Sequence, residues 1–213
     1  MPLNCYDGAC YYNSWTIPDA ASIMMFITLR GWNAVVNKFF GTANDFETQR
    51  YLADGKFTGD LYETSGNPST TDIVVGTRIH CAIVANKAGD SKTYINGIQE
   101  TTSSPATTPT TPANLGIGGR YGDFTGKCAN AILEDVRAYN RKLSAQEIKI
   151  IADCNGTDSI IDGLINRWSM VTKGDATDIG TDLQYDIVGK QTLQKYSGNV
   201  YYYGGLATPR KRV

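Results

Sequence analysis

The stretch Leu115 to Ile151, LGIGGRYGDFTGKCANAILEDVRAYNRKLSAQEIKII, places the strongest constraint on this chain. A glycine-rich turn leads into a patterned strand, LEDVRAY over Leu133 to Tyr139, and then into one short helix with nearly every start signal a helix can carry. Ser144 is the N-cap and Glu147 stands at N3, which makes a capping box. Leu143 at N′ and Ile148 at N4 make a hydrophobic staple. Ile148, Ile151 and Ala152 form the apolar stripe, and Asn155-Gly156 ends the helix. A cap set of this kind contributes about 1–2 kcal/mol.

The remainder reads as short strands broken by turns. Ser22 to Trp32 (SIMMFITLRGW) places Met24, Phe26 and Thr28 on one face and Ile23, Met25, Ile27 and Leu29 on the other. Two largely apolar faces predict a central strand. In Thr77 to Ala85, Ile79, Cys81 and Ile83 face one way and Arg78, His80 and Val84 the other. Lys92 to Ile95 returns after Gly89-Asp90. Asn96-Gly97 follows, the strongest two-residue hairpin signal, because a type I′ turn needs positive φ at both positions. Further strands are read in Val35 to Phe40, Phe46 to Leu52, Phe57 to Tyr62, Gly163 to Met170 and Thr192 to Tyr203. Thr101 to Ala113 carries three prolines and is expected to be a long connection or an exposed loop for a partner. Many short strands against a single helix near 145–153 predict an all-β fold, an antiparallel β-sandwich.

Composition narrows the classes. A length of 213 residues suits one domain. Twenty basic against 21 acidic residues give no global field toward nucleic acid or membrane. The longest apolar run, Ile23 to Ile27, is far too short to cross a bilayer. The opening PLNCYDGACYY has no basic n-region and no apolar h-region, so a chain made in the cytoplasm is expected. The five cysteines, Cys5, Cys10, Cys81, Cys128 and Cys154, cannot all pair within one chain. With no CxxC and a single histidine, a zinc site is not expected. Buried, reduced thiols are the expectation, with Cys5 and Cys10, either side of the Asp7-Gly8 turn signal, as the pair to test for a local bridge.

Five pieces in order resemble a known family. Tyr6-Asp-Gly8, the strand from Ile23 to Trp32, Ile79-His-Cys-Ala-Ile-Val84, Tyr94-Ile-Asn-Gly97, and Leu133-Glu-Asp-Val-Arg-Ala-Tyr-Asn140 with Leu143-Ser-Ala-Gln-Glu-Ile148 are similar to motifs of laminin-G-like, concanavalin A-type domains. Arg78 stands where that family usually has Trp, and the Thr/Pro loop is longer than usual. The resemblance covers roughly Cys5 to Ile151 and implies a concanavalin A-like jelly roll. Gly163-Leu-Ile-Asn-Arg-Trp168-Ser-Met, followed by Asp182 or Asp186 and Gly189, resembles the family's N-terminal opening, yet lies at the C-terminus. Either the order is circularly permuted, with 160–213 completing one sandwich of 1–213, or a strand pair has been added. The permuted order is the expectation, with a basic tail at 208–213.

Chemistry is sparse. Glycoside hydrolases of this fold need two carboxylates flanking the scissile bond. Glu134 and Asp135 are adjacent on a strand, so they are expected to point to opposite faces, with Asp135 placed to pair with Arg137. His80 and Cys81 are likewise neighbours that point apart, which argues against a cysteine nucleophile. Gly116-Ile-Gly118-Gly119 precedes no helix and is no phosphate cradle. No resident cofactor is expected. The resemblance implies calcium beside a sugar in some relatives, for which Asn44, Asp45, Asp123 and Asp178 would be the loop oxygens, although no D-x-D-x-D run is present.

The resulting expectation is a non-enzymatic structural or interaction protein. A laminin-G-like chain with a Tyr-rich C-terminal strand and a basic tail resembles virion proteins of tailed bacteriophages: capsid decoration, fibre or tail accessory. That reading implies a homo-oligomer or other virion proteins as partners, through Tyr201, Tyr202, Tyr203, Arg210, Lys211 and Arg212, and a place in the virion, with the cytoplasm as the alternative. The alternative function is a lectin-like carbohydrate-binding module, calcium-assisted in some relatives, in which Trp32, Tyr121 and Asp123 hold the sugar and host-surface glycans are the partners. A glycoside hydrolase is the remote alternative. No membrane partner is expected, and three basic residues are too few to predict nucleic acid.

Overall fold

A computed structural model of the chain describes residues 3–31, 36–42, 46–51, 54–59, 61, 67–87, 89–103, 113–119, 128–168, 184–185 and 192–202, with backbone alone for 3–15, 51, 113, 184–185 and 192–202. Within these residues the elements are β1 (Leu3–Trp15), β2 (Ala20–Leu29), β3 (Val36–Thr42), β4 (Glu47–Tyr51), β5 (Phe57–Gly59), β6 (Arg78–Asn86), β7 (Ser91–Ile95), β8 (Ile98–Ser103), β9 (Ala113–Ile117), β10 (Ala131–Tyr139), α1 (Ala145–Asp153), β11 (Leu164–Trp168), β12 (Gln184–Tyr185) and β13 (Thr192–Tyr202).

The strands form two antiparallel sheets packed as a sandwich. Their hydrogen-bonded path runs β5-β4-β3-β9-β1-β10-β2-β6-β7-β8. β1 carries the chain from one sheet to the other: Leu3–Cys5 pair with β10, and Cys10–Trp15 pair with β9. Asp7-Gly8 is therefore not a turn. β1 passes straight through it, with a register shift against β13 between Tyr6 and Ala9. A bulge absorbs the pair where the sequence carries a turn signal. Likewise Thr101–Ser103 belong to β8 rather than to a loop, because they pair with β7 and the Thr101 hydroxyl donates to the Pro68 carbonyl at 2.9 Å. The Thr/Pro residues 104–112 lie outside the described residues.

Alternation along β2 and β6 divides the molecule into two cores, as the sequence predicts. Ile23, Met25, Ile27 and Leu29 join Ile79, Cys81 and Ile83 between the sheets. Met24, Ala82 and Val84 lie on the outer face, where Leu143, Ile148 and Ile151 cover them together with Tyr94 and Tyr139. β2 is central in its sheet, between β10 and β6. Both of its faces are covered, which explains why its sequence is apolar on both.

The helix begins where its caps predict. The Glu147 amide donates to Ser144 Oγ, and the Glu147 carboxylate accepts from the Ser144 amide. The two staple residues, Leu143 and Ile148, are both buried. Asn155 and Gly156 end the helix with φ of 50° and 78°. The Asn96-Gly97 turn has φ of 50° and 79°, and it packs against α1 so closely that a Cβ on Gly97 would lie 2.9 Å from Lys149 Cα.

The segment 67–73 ties the two ends of the strand path together. The Ser69 amide donates to Phe57 O at 2.7 Å, and the Ile73 amide to Gly55 O at 2.9 Å. On the other sheet, the Thr93 hydroxyl donates to Asn67 O at 2.6 Å, and the amides of Thr70 and Thr71 donate to the Glu100 carboxylate at 2.8 and 2.9 Å. β11 pairs with β10, and β13 with β1 from Leu3↔Tyr202 to Tyr11↔Gln194.

Candidate functional site

The site is assembled on the outer face of β2 and β6. These strands pair Phe26 with His80, and period-2 alternation puts Arg78 on the same face. The hairpin turn after β7 brings Asn96 over them: its Oδ1 accepts from the His80 amide at 3.0 Å, and its amide donates to His80 O at 2.8 Å. The C-terminal end of α1 completes the enclosure with Asp153 and Asn155. The result is a cavity of about 210 Å³, open to the surface. Phe26 and His80 form its buried floor, and Arg78, Asn96, Asp153 and Asn155 its exposed rim.

Arg78 is held in place on three sides. Its Nε donates to the Glu134 carboxylate at 2.7 Å and its Nη1 to Asn155 Oδ1 at 2.9 Å. Its guanidinium carbon lies 3.9 Å from the centre of the Phe26 ring, a cation–π arrangement. His80 packs its ring 4.9 Å from that of Phe26 and is only 2% exposed. Neither ring nitrogen has a protein hydrogen-bond partner. Burial, with the positive charges of Arg137 and Arg78, lowers its pKa to about 4 against the opposing pull of Asp135 and Asp158, so the imidazole is neutral at pH 7. Cys81, on the opposite side of the strand, is fully buried in the main core, and burial raises its thiol pKa. His80 and Cys81 thus point apart, as their adjacency predicts.

Glu134 and Asp135 do not. Opposite β2, Glu134 pairs with Phe26 and Arg137 with Met24, so one extra residue is inserted between them. Asp135 takes φ of 49° at this bulge. The bulge resets the alternation: Leu133 and Val136, three apart, both enter the main core, and Glu134 and Asp135 both turn outward. Simple alternation failed here because a bulge has no period. Each carboxylate is occupied by arginine. Asp135 receives Arg137 at 2.7 Å and Arg167 at 2.6 Å, and Asp158 receives Arg137 at 2.8 Å. Arg137 also donates to Tyr139 Oη and Gly156 O. Burial works against its charge, but the bonds from Asp158 and Asp135 outweigh it and keep the guanidinium firmly protonated. This network fastens the chain after α1 onto β10.

Trp32, Tyr121, Asp123, Tyr203, Arg210, Lys211 and Arg212 lie outside the described residues, as do the proposed calcium oxygens of Asn44, Asp45, Asp123 and Asp178. Tyr201 and Tyr202 belong to β13, opposite Asn4 and Leu3. The side chains of Cys5 and Cys10 are likewise outside the description; Cys81 is free and buried, Cys128 is buried, and Cys154 is free and exposed. Among the described residues no group of three or more His, Cys, Asp or Glu side chains is arranged to hold a metal ion. The sequence reading assigned no role in a site to Phe26, Asn96 or Asn155. Asn96 and Asn155 carry turn and helix-stop signals in the sequence, and the one signal toward the site is Arg78 standing where Trp is usual.

Comparison with known proteins agrees with this architecture. The family model of the Concanavalin A-like lectin/glucanases superfamily, in its laminin-G form, matches residues 10–149. No curated protein matches the sequence. Among solved structures, a protein from Bacteroides ovatus ATCC 8483 described as a "putative carbohydrate binding protein" superposes with a TM-score of 0.73 at 14% identity, covering 93% of this chain and 58% of that one. The heptameric SAP-like pentraxin of Limulus polyphemus gives 0.59 at 16% identity, covering 73% of this chain and 83% of its own. The sialidase of Trypanosoma rangeli, in complex with sialic acid, gives 0.54 at 14% identity, covering 73% of this chain and 30% of the enzyme. At such identities the likeness is one of fold.

Proposed function

The chain belongs to the Concanavalin A-like lectin/glucanases superfamily, and we propose that it is a carbohydrate-binding module that does not cleave its ligand. The observation that carries this reading is the cavity beside His80, a built pocket whose buried imidazole lacks a protein hydrogen-bond partner and whose rim is made of amide, guanidinium and carboxylate groups. Pockets that orient a ligand combine apolar walls with a few convergent polar groups, and Phe26 with His80, Arg78, Asn96 and Asn155 is such a set. The Bacteroides structure supports the same reading. Against hydrolysis, Glu134, Asp135 and Asp158 are each held by arginine, which leaves none of them placed as a free acid or base beside the cavity. The pairing of β11 and β13 with β10 and β1 supports one sandwich that includes the C-terminal segment. The fold lends no specific support to the virion role expected from the sequence.

A glycan array probed with the full chain, with and without calcium, tests this reading. Binding to a defined group of glycans, with no release of reducing sugar on prolonged incubation, is the expected result. A blank array in both conditions, or turnover of a bound glycan, would overturn it.

A further inference from the structure

We propose that the His80 cavity holds a single neutral sugar residue by a vicinal pair of hydroxyls and discriminates against acidic sugars. This rests on the carbohydrate-binding reading and specifies its ligand class and its site.

Size sets the first limit. A volume of about 210 Å³ falls below the roughly 300–1,000 Å³ of pockets that enclose a drug-sized ligand, so the cavity admits one ring or its edge rather than a chain. Charge sets the second. Arg78 is balanced by Glu134 at 2.7 Å, and Asp153 by Lys149 at 2.8 Å. The carbonyl end of α1 adds a partial negative charge at the same rim. A carboxylate entering here would lose its hydration and find no uncompensated cation.

Hydrogen-bond chemistry sets the third. A neutral imidazole carries one N–H donor and one lone pair, and His80 has both without a protein partner in a site 2% exposed. A carboxylate accepts only, so it can satisfy the N–H but has no donor for the ring's lone pair. A hydroxyl donates and accepts, so one hydroxyl can bond a ring nitrogen of His80 while its neighbour on the sugar takes a rim donor. Rim donors remain. Arg78 uses Nε and Nη1, leaving Nη2. Asn96 and Asn155 use their oxygens on His80 and Arg78, leaving both amide NH₂ groups. The Phe26 ring backs the floor, but its face is covered by Arg78, so the ligand is read by hydrogen bonds more than by stacking.

His80 is the only histidine in the chain, so its ring signals are self-assigned in a heteronuclear NMR spectrum. The test is a titration of the full chain with methyl glycosides of mannose, galactose and glucose, and separately with N-acetylneuraminic and glucuronic acids, beside the glycan array. At least one neutral glycoside is expected to move the ring nitrogen shifts, with a Kd on the order of 1 mM, while the acids leave them in place. Arg78→Gln, an exposed position that should not threaten folding, is expected to weaken that binding at least fivefold. His80→Phe is expected to abolish it if the variant folds. Acids moving the ring while neutral glycosides do not would overturn the proposed selectivity. Array binding with still His80 signals would overturn this site while leaving the carbohydrate reading intact. A blank array with still signals would end both.

Discussion

Asp158 and Arg137 meet at 2.8 Å with both side chains only 1% exposed, and that pair joins the chain after α1 to the middle of β10. Arg137 cannot shed its proton, so removing Asp158 leaves a buried cation with only Asp135 to neutralise it. Asp158→Ala is expected to destabilise the fold by about 3 kcal/mol in urea unfolding. Asp153→Ala, which breaks the exposed Lys149 pair one turn along α1, is expected to change stability by no more than about 0.5 kcal/mol. Equal effects would show that burial is not what gives the first pair its weight.

His80 gives stability a pH dependence of known sign. Its folded pKa of about 4 lies below the ordinary value of 6.5, so between these values the unfolded chain binds a proton that the folded chain refuses. Stability from this residue is complete above pH 6.5, falls as pH drops toward 4, and is level below that. The loss is on the order of 3 kcal/mol at most. Unfolding midpoints measured from pH 7.5 to 4.5 should therefore decline, and His80→Gln should flatten that part of the curve.

The helix start offers a separate check. Ser144→Ala should cost about 1 kcal/mol, because it leaves the Glu147 amide without its acceptor. Glu147 itself is held at about pKa 2, chiefly by Arg141, with burial opposing and the Ser144 amide and hydroxyl assisting. Its contribution is full above the ordinary carboxylate range and fades as pH falls toward 2. Thermal unfolding of wild type and Ser144→Ala, at pH 7 and pH 3, measures both effects.

The caps, the alternation of β2 and β6, and the Asn96-Gly97 turn were legible in the sequence because each is a local rule. Ser144, Glu147, Leu143 and Ile148 need only their neighbours to act as they do. The outward turn of both Glu134 and Asp135 was not legible. It depends on the pairing of β10 with β2, and one inserted residue in that pairing reverses every inference from alternation. The passage of β1 through Asp7-Gly8 was hidden for the same reason: pairing with β13 on one side, and with β10 and β9 on the other, outweighs a local turn preference. The cavity was illegible because its parts come from β2, β6, a hairpin turn and a helix end. Nothing in the spacing of Phe26, Arg78, Asn96 and Asn155 shows that they meet.

Gly97 tests how tightly the hairpin is seated on the helix. It has φ of 79°, and an added Cβ would meet Lys149 Cα at 2.9 Å and Ala152 Cβ at 3.2 Å. Strain and overpacking together predict a loss of about 2–4 kcal/mol for Gly97→Ala. Amide hydrogen exchange should quicken in α1 and at Asn96 together, whereas a change confined to the hairpin would show that the two are not coupled.

The segment 67–73 has one more consequence. β5 and β8 are the outermost strands of the path, and outermost strands offer unpaired amides and carbonyls to any neighbouring molecule. Ser69 and Ile73 take the carbonyls of Phe57 and Gly55, and Glu100 of β8 is bonded to Thr70 and Thr71 of the same segment. On the β5 side this stretch takes backbone carbonyls that a neighbouring strand could otherwise use, whereas on β8 it meets the side chains of Glu100 and Thr101. The β5 edge is thereby shielded from strand-to-strand pairing.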